Sequence, residues 1–292
     1  MNPPPKAAAS ALALACLAAV GHAAPATQPA TRPAAPAKRL GLIVFSSNRG
    51  GSWRIWRVRE DGSGPRQLTK GADGEHDVDP VWAPGARSIL FTSTRGGKAG
   101  VWTIAPDGSK LRRLCDGDQA DFSPDGKRIA LRRAGRIVVR ELVSGREKHL
   151  TPTGWTACSG PAWSPDGKRI AFARQRAGAN AVYLVPAGGG EPKVVFGKKG
   201  ACEPAWSPDG KRLVYETETH LFTIRPDGKD NRMLTWYGGL QRYARWSPDG
   251  REIVFCQGAS TNGPWELYIV PATGGSPRKV TAGGSDMYPH WR

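Results

Sequence analysis

Trp163-Ser-Pro-Asp-Gly-Lys-Arg-Ile-Ala-Phe172 is one copy of a phrase that returns along the chain and decides its fold. An aromatic residue opens each copy, at positions 82, 122, 163, 206, 246 and 291, so successive copies lie 40 to 45 residues apart. This period is typical of one four-stranded blade of a β-propeller. So regular a repeat favours one repeat domain over two ordinary domains.

Each repeat of 40 to 45 residues predicts four strands. Ser-Pro-Asp-Gly suits a tight hairpin between the first two strands, because proline fixes φ and glycine accepts positive φ. The second strand is a short apolar run such as Arg169-Ile-Ala-Phe-Ala173, as expected where both faces of a blade are covered. The third strand centres on an aromatic such as Trp56. The fourth is short and cationic, as in Arg66-Gln-Leu-Thr69, and its charges discourage edge-to-edge pairing.

The two ends of the repeat array give the number of blades. Residues 40–70 contain the second, third and fourth strands of a repeat, and Tyr288-Pro-His-Trp-Arg292 is a first strand. Together they make one blade, which joins five complete repeats. We therefore predict an all-β, six-bladed β-propeller of four-stranded blades over residues 39–292, closed by the C-terminal strand pairing into the N-terminal blade.

The phrases Trp163-Ser-Pro-Asp-Gly-Lys-Arg-Ile-Ala-Phe172 and Phe45-Ser-Ser-Asn-Arg-Gly-Gly51 resemble the repeats of the TolB family of periplasmic propellers. The resemblance covers nearly everything after residue 40. It implies a periplasmic protein that binds envelope lipoproteins and other proteins through loops around the ring. TolB itself has an α/β domain before its propeller, whereas here only a short segment takes that place, so the resemblance is to the propeller alone.

The first residues predict export. Residues 1–24 carry one cation, Lys6, then an apolar run and small residues at Ala23 and Ala24, which is the pattern of a Sec-type signal peptide. The apolar run is too short for a membrane span, so we predict none. Residues 25–38 are rich in Pro, Ala and Thr and form a disordered tether. We therefore predict a periplasmic or otherwise exported monomer.

Charge favours anionic partners. The chain has 42 Lys and Arg against 25 Asp and Glu, a net charge of +17. Many cations, such as Lys127, Lys168 and Lys211, stand in turns that strand alternation places on one face of the disc. This face binds polyanions, or it only keeps the protein soluble. In an exported chain lipopolysaccharide, acidic glycans and acidic proteins are better candidates than nucleic acid, which we exclude.

Recognition is predicted at the opposite mouth of the central channel. The connectors that lead into the innermost strands differ from repeat to repeat there, and divergent loops on a repeating scaffold usually carry specificity. We expect an envelope protein or lipoprotein as the partner. The candidate binding residues are Glu75, His76, Asp77, Asp79, Glu203, Arg242, Tyr243, Asp286 and Tyr288.

Motifs for catalysis are not found in the sequence. The histidines at 76, 149, 220 and 290 have no metal-binding spacing, and neither a Gly-x-Ser-x-Gly elbow nor a phosphate loop occurs. A cation site built from His76, Asp77, Asp79 and Asp286 is a weaker hypothesis. We predict a non-catalytic scaffold without cofactor or metal. The alternatives are binding of acidic polysaccharide or lipopolysaccharide, and a polysaccharide lyase or hydrolase that uses channel residues.

Four cysteines remain after signal cleavage, an even number in an oxidising compartment. Cys158 and Cys202 occupy corresponding connectors of adjacent blades and are the best candidates for a disulfide. Cys115 and Cys256 have the positions of ordinary strand residues. Three connectivities are possible from the sequence.

Overall fold

Six four-stranded antiparallel sheets follow one another along the chain. The structure is a computed structural model that describes residues 41–176, 178–197, 200–217, 219–236 and 238–292. Within these ranges the only helix is the 3-10 turn Pro84–Ala86, where the second blade has Ala-Pro-Gly-Ala in place of Ser-Pro-Asp-Gly. The predicted signal peptide and tether lie outside the described residues.

Within each blade the strands are ordered from the axis to the rim. In chain order they are β1 (Leu42–Ser47), β2 (Arg54–Arg59), β3 (Arg66–Gln67), β4 (Asp77–Trp82), β5 (Ile89–Ser93), β6 (Gly100–Ile104), β7 (Arg112–Asp116), β8 (Asp118–Phe122), β9 (Arg128–Arg133), β10 (Arg136–Glu141), β11 (Glu147–His149), β12 (Cys158–Trp163), β13 (Arg169–Arg176), β14 (Ala179–Pro186), β15 (Lys193–Gly197), β16 (Cys202–Trp206), β17 (Leu213–Glu216), β18 (Leu221–Ile224), β19 (Arg232–Met233), β20 (Leu240–Trp246), β21 (Glu252–Gly258), β22 (Trp265–Pro271), β23 (Arg278–Lys279) and β24 (Asp286–Trp291). The first blade is β24-β1-β2-β3, and the second to sixth blades use β4 to β23 in groups of four.

The ring closes as the sequence predicts. Strand β24 pairs antiparallel with β1, with Trp291 opposite Ile43 and Asp286 opposite Ser47. The backbone N–H of Leu42 donates to the carbonyl of Arg292 at 3.1 Å, and the N–H of Arg292 donates back at 2.9 Å. The innermost edge of the first blade is therefore paired, which removes a free sheet edge at the axis.

Side-chain hydrogen bonds explain why Ser-Pro-Asp-Gly makes the tight turns. In the third blade Ser123 Oγ donates to Asp125 Oδ1 at 2.5 Å and accepts the N–H of Arg128 at 2.9 Å, while Gly126 takes φ +67°. These bonds satisfy a buried hydroxyl and fix the turn locally. Corresponding Ser–Asp bonds form at Ser164, Ser207 and Ser247.

The core lies between the blades. One hydrophobic cluster fills each of the six junctions, and each cluster combines residues of two adjacent blades. Ile43, Val44 and Phe45 are successive residues of β1 and all are fully buried, because each face of the blade is covered by a neighbour. This confirms the interpretation of the continuous apolar runs as second strands.

Glycines on the rim allow adjacent blades to approach closely. Gly62, in the turn between β2 and β3, has φ +84°, and a Cβ there would lie 2.5 Å from the carbonyl oxygen of Val280 in the sixth blade. Gly108 meets the carbonyl of Leu68 in the same way, at 2.9 Å. These turns therefore cover the outer strand of the preceding blade.

None of the helices among the described residues has the length and hydropathy of a membrane span.

Candidate functional site: the central channel

A β-bulge interrupts every innermost strand at the same place. The residue three positions before the aromatic has a left-handed backbone, with φ between +48° and +57°, and the ladder register shifts beside it. A bulge re-aims the side chain relative to a regular strand. We call these six residues the bulge ring: Asp79, Gln119, Gly160, Glu203, Tyr243 and Tyr288.

The order of the blades sets which side chains face each other. Each innermost strand contacts those of the two adjacent blades, in the order β4, β8, β12, β16, β20, β24 and back to β4. Asp79 in the second blade and Glu203 in the fifth therefore come from opposite sides of the channel. Tyr243 and Tyr288 are neighbours, with ring centroids 4.1 Å apart and hydroxyl oxygens 3.3 Å apart.

A second set of side chains precedes the aromatics directly. Asp121 Oδ2 accepts the backbone N–H of Trp163 at 2.7 Å, and His290 Nδ1 accepts that of Trp82 at 3.4 Å, so both join adjacent blades. Arg245 projects from the sixth blade, and its Nη1 donates to the carbonyl of Ala244 at 3.0 Å. We call this set the inner ring: Val81, Asp121, Ala162, Ala205, Arg245 and His290.

All members of the two rings except Tyr243 line a cavity of about 510 Å³ on the axis. Its lining extends from Asp79, Glu203 and Tyr288 to exposed prolines of the Ser-Pro-Asp-Gly turns, among them Pro124 and Pro248. The cavity therefore extends toward the face of the disc that carries these turns, which we call the turn face. The sequence, by contrast, predicts recognition at the opposite mouth of the channel.

Burial makes the cavity carboxyls hard to ionise. The pKa of Asp79 is raised to about 7 by burial and by the nearby charges of Glu203 and Asp118. Burial also raises the pKa of Glu203, and it raises that of Asp121 to about 6. Water reaches part of each carboxyl through the channel, yet all three are enclosed by protein on most sides. They are therefore sensitive to any charge that enters the cavity.

Glu216 supports the bulge ring from behind. Its side chain is 2% exposed, and its Oε2 accepts the backbone N–H of Tyr243 at 2.5 Å, which links the fifth blade to the sixth. Arg242 Nη1 lies 3.3 Å from Glu216 Oε1, and the Cys202 thiol donates to the same oxygen at 3.3 Å. Burial and the charge of Glu203 raise the pKa of Glu216 to about 7.

Asp77 and Asp286, two of the predicted binding residues, do not reach the channel. Both are fully buried. Asp77 Oδ2 pairs with Arg95 Nη2 at 2.5 Å, and Asp286 Oδ2 pairs with Arg49 Nη2 at 2.7 Å. Each arginine follows the second strand of the same blade, so these pairs hold strands together where no partner can contact the carboxylates.

The other predicted residues divide into two groups. Glu75 Oε2 accepts the N–H of Ala72 at 3.0 Å, and His76 Nδ1 accepts that of Trp53 at 3.4 Å, so both brace a connector. Asp79, Glu203 and Tyr288 line the axial cavity, whereas Tyr243 packs on Tyr288 and Arg242 pairs with Glu216. The described residues contain no group of three or more His, Cys, Asp or Glu that could hold a metal ion, so the suggested cation site is not assembled among them.

The four cysteines are free thiols in the structure. Cys158 packs in the hydrophobic cluster between the third and fourth blades, whereas the Cys202 thiol donates to the Gly200 carbonyl and to Glu216, each at 3.3 Å. The two side chains therefore have separate surroundings, and the predicted Cys158–Cys202 disulfide is not formed here.

The lysine turns carry mixed rather than purely positive charge. Lys127, Lys168 and Lys211 are exposed, but each turn also contains an aspartate. Hydrogen bonds from the turn serines lower the pKa values of Asp125, Asp166 and Asp209, which keeps these carboxylates ionised. The turn face is thus less basic than the lysines alone suggest.

Sequence reasoning missed the inner ring and Glu216. The residue before the aromatic is alanine in two repeats but varies in the others, from Asp121 to Arg245 to His290, and this variation was a usable signal. Glu216 stands in an apolar second strand, at the position that Ala173 and Cys256 occupy in the two adjacent blades. Its cross-blade bond to the N–H of Tyr243 explains the carboxylate there.

The closed ring of six blades around an axial cavity defines a six-bladed β-propeller built from Ser-Pro-Asp-Gly repeats. The chain belongs to the TolB beta propeller domain family, which matches residues 120–292.

Three comparisons place it among known proteins. The uncharacterized protein Atu1656 of Agrobacterium fabrum is 29% identical over 178 residues, which cover 58% of this chain and 60% of that protein, so the two match over only part of their lengths. TolB from Acinetobacter baumannii superimposes with a TM-score of 0.73 at 19% identity, covering 86% of this chain and 66% of that one. An oligogalacturonate lyase in complex with manganese shares the fold with a TM-score of 0.55 at 15% identity, covering 84% of this chain and 73% of the lyase. At such identities the structural likenesses concern the fold alone.

Proposed function

We propose that the chain is a non-catalytic binding scaffold of the cell envelope that recognises a protein partner at its central cavity. The observation that carries the proposal is the bulge ring, in which one backbone geometry presents carboxylate, amide, glycine and phenol groups around a single axis. A repeating scaffold distinguishes a particular partner only where its repeats differ. A cavity of about 510 Å³ with apolar walls and a few polar groups has the composition of a recognition site.

An exported location fits this role. The first 24 residues have the pattern of a signal peptide, and the propeller family to which the chain belongs includes TolB. The partner is then an envelope protein or lipoprotein. The turn aspartates offset only part of the positive charge, since an arginine follows each of these lysines, so capture of acidic glycans or lipopolysaccharide is the second candidate function.

The surroundings of the channel histidine argue against a lyase or hydrolase. A lyase requires a base that can take a proton from the substrate. His290 Nδ1 is already occupied by the N–H of Trp82, and burial together with Arg245 lowers the pKa of His290 to about 3. Asp121 is likewise engaged with the N–H of Trp163. These groups serve the junctions between blades.

An affinity capture from envelope extract tests the proposal. The native protein is compared with a double variant, Glu203→Gln with Tyr288→Ala, and with a control, Lys127→Gln with Lys168→Gln, after equal melting temperatures have been established. We expect the cavity variant to lose the captured protein and the lysine variant to keep it at moderate salt. The reverse pattern would reject the cavity as the recognition site. Release of unsaturated products from acidic glycans would reject the non-catalytic assignment.

A further inference from the structure

We propose that the cavity receives a positively charged group carried by a polypeptide, the guanidinium or ammonium of an arginine or lysine side chain, between Asp79 and Glu203. The inference rests on the proposed function, because it names the part of the partner that enters the channel. It also gives the direction of approach, which is from the turn face.

Two carboxylates without a cationic partner form the end of the cavity. Asp79 and Glu203 belong to opposite blades, and no lysine or arginine in the described parts of the chain forms an ion pair with either of them. Gly160 makes room for one of the carboxylates, since a Cβ at Gly160 would lie 2.7 Å from Glu203 Oε2. The carboxyl groups of Asp79 and Glu203 could therefore both accept hydrogen bonds from an incoming cation.

The internal cation of the channel does not neutralise this pair. Arg245 stands in the inner ring opposite Asp121, and its charge favours ionisation of Asp79, Asp121 and Glu203. Its guanidinium, however, donates to the carbonyl of its own neighbour Ala244. Arg292 also lines the cavity, but its guanidinium lies over the ring of Trp82, so neither arginine forms an ion pair with Asp79 or Glu203.

The size of the cavity selects an organic group. About 510 Å³ matches the volume of small-molecule sites and far exceeds what a bare ion fills. A divalent metal would need several converging ligands, and the described residues do not supply such a group. The guanidinium or ammonium tip of a side chain, with its methylene stem, fills the space better.

The walls suit the stem of that side chain. Half-buried Trp246 and the turn residues Pro208 and Pro248 line the path from the turn face toward Glu203. Lysine and arginine stems pack on such apolar surface while the charged tip contacts polar groups, and a nearby aromatic ring attracts the cation.

Calorimetric titration of the full-length protein with small probes tests the inference. The probes are a capped tripeptide with arginine between two glycines, the same peptide with uncharged citrulline, and calcium chloride alone. We expect the arginine peptide to bind at least about tenfold more tightly than the citrulline peptide, the ratio that one lost charge-assisted contact produces. Asp79→Asn and Glu203→Gln should each weaken binding of the arginine peptide by about fivefold or more.

Asp73→Asn is the matched control, because it removes the same charge from an exposed connector outside the cavity. Equal affinity for the two peptides, binding of calcium alone, or no binding of the arginine peptide up to about 10 mM would overturn the inference. If either cavity variant fails to fold, the comparison of the two peptides on the native protein still decides. Capture of an envelope protein by a channel that ignores the arginine peptide would leave the proposed function standing and remove only this inference.

Discussion

The carboxylate of Glu216 in the fifth blade accepts the backbone N–H of Tyr243 in the sixth, at 2.5 Å. This bond anchors the bulge that positions Tyr243 beside Tyr288. We expect Glu216→Ala to destabilise the protein by about 1–3 kcal/mol, because it leaves a buried N–H without an acceptor. Glu216→Gln should cost less, since its amide oxygen can replace the carboxylate. Chemical denaturation measures both, with Glu266→Gln at the rim as the control. Equal losses for Ala and Gln would contradict a role as acceptor.

Stability should fall as pH rises from about 5 to about 7. The pKa values of Asp79 and Glu216 are raised to about 7 and that of Asp121 to about 6, so the folded state holds protons that the unfolded state has released. His290, whose pKa in the fold is about 3, and His149, whose pKa burial also lowers, act in the opposite direction below about pH 6.5. Four carboxyls outweigh them, because burial raises the pKa of Glu203 as well. Melting temperature against pH is the measurement. A flatter profile is expected for Asp79→Asn, and an unchanged profile would show that Asp79 does not titrate in this range.

Gly62→Ala should be more harmful than Gly126→Ala. Both glycines have positive φ, +84° and +67°, so alanine costs roughly 1 kcal/mol of backbone strain at either position. Only at Gly62 would the new Cβ also meet the carbonyl oxygen of Val280, at 2.5 Å, whereas at Gly126 the nearest atom is 4.0 Å away. Denaturation midpoints compare the two variants. Equal losses would mean that the rim contact between the sixth and first blades is not tight.

Asp286→Ala should be among the most destabilising single substitutions. It leaves the guanidinium of Arg49 without its carboxylate in a mostly buried position, for which losses of about 3–5 kcal/mol are typical. Asp116→Ala offers an exposed counterpart, whose loss of the ion pairs with Lys98 and Arg113 should be much smaller because solvent screens them. Similar losses for the two would argue against burial as the reason.

Removal of residues 288–292 tests ring closure. Without them β1 loses most of its partner strand and presents an open edge to the axis. We expect aggregation or a large drop in melting temperature, monitored by light scattering and calorimetry. A monomer that melts normally would show that closure contributes little.

The sequence was sufficient for the fold because its information is local and repeated. The aromatic that precedes Ser-Pro-Asp-Gly locates the innermost strand, and the turn residues fix the hairpin through bonds such as Ser123 to Asp125. The blade number and the closure by β24 then followed from counting, and the structure agrees.

The site was only partly predictable because it depends on contacts between distant residues. Asp77 stands in a divergent connector and is predicted at the channel mouth, yet it pairs with Arg95, 18 residues later, inside the blade. Asp286 meets Arg49 across 237 residues. The bulges themselves leave little trace in the pattern of apolar residues. The sequence could therefore place Asp79 and Glu203 around the axis, but it could not predict how deep in the channel their carboxyl groups lie.

The bulge ring carries conformational strain. Five of its six members are not glycine, although a left-handed backbone costs a residue with a side chain roughly 1 kcal/mol. Glycine at Asp79, Glu203 or Tyr288 would relax the backbone and erase the chemistry of the cavity in the same step. The sixth member, Gly160, adopts the left-handed backbone without strain, and its missing side chain makes room for the Glu203 carboxylate. Under the proposed function, a propeller stabilised by glycine at these positions would discriminate less well between partners, which is the trade-off expected of residues at a binding site.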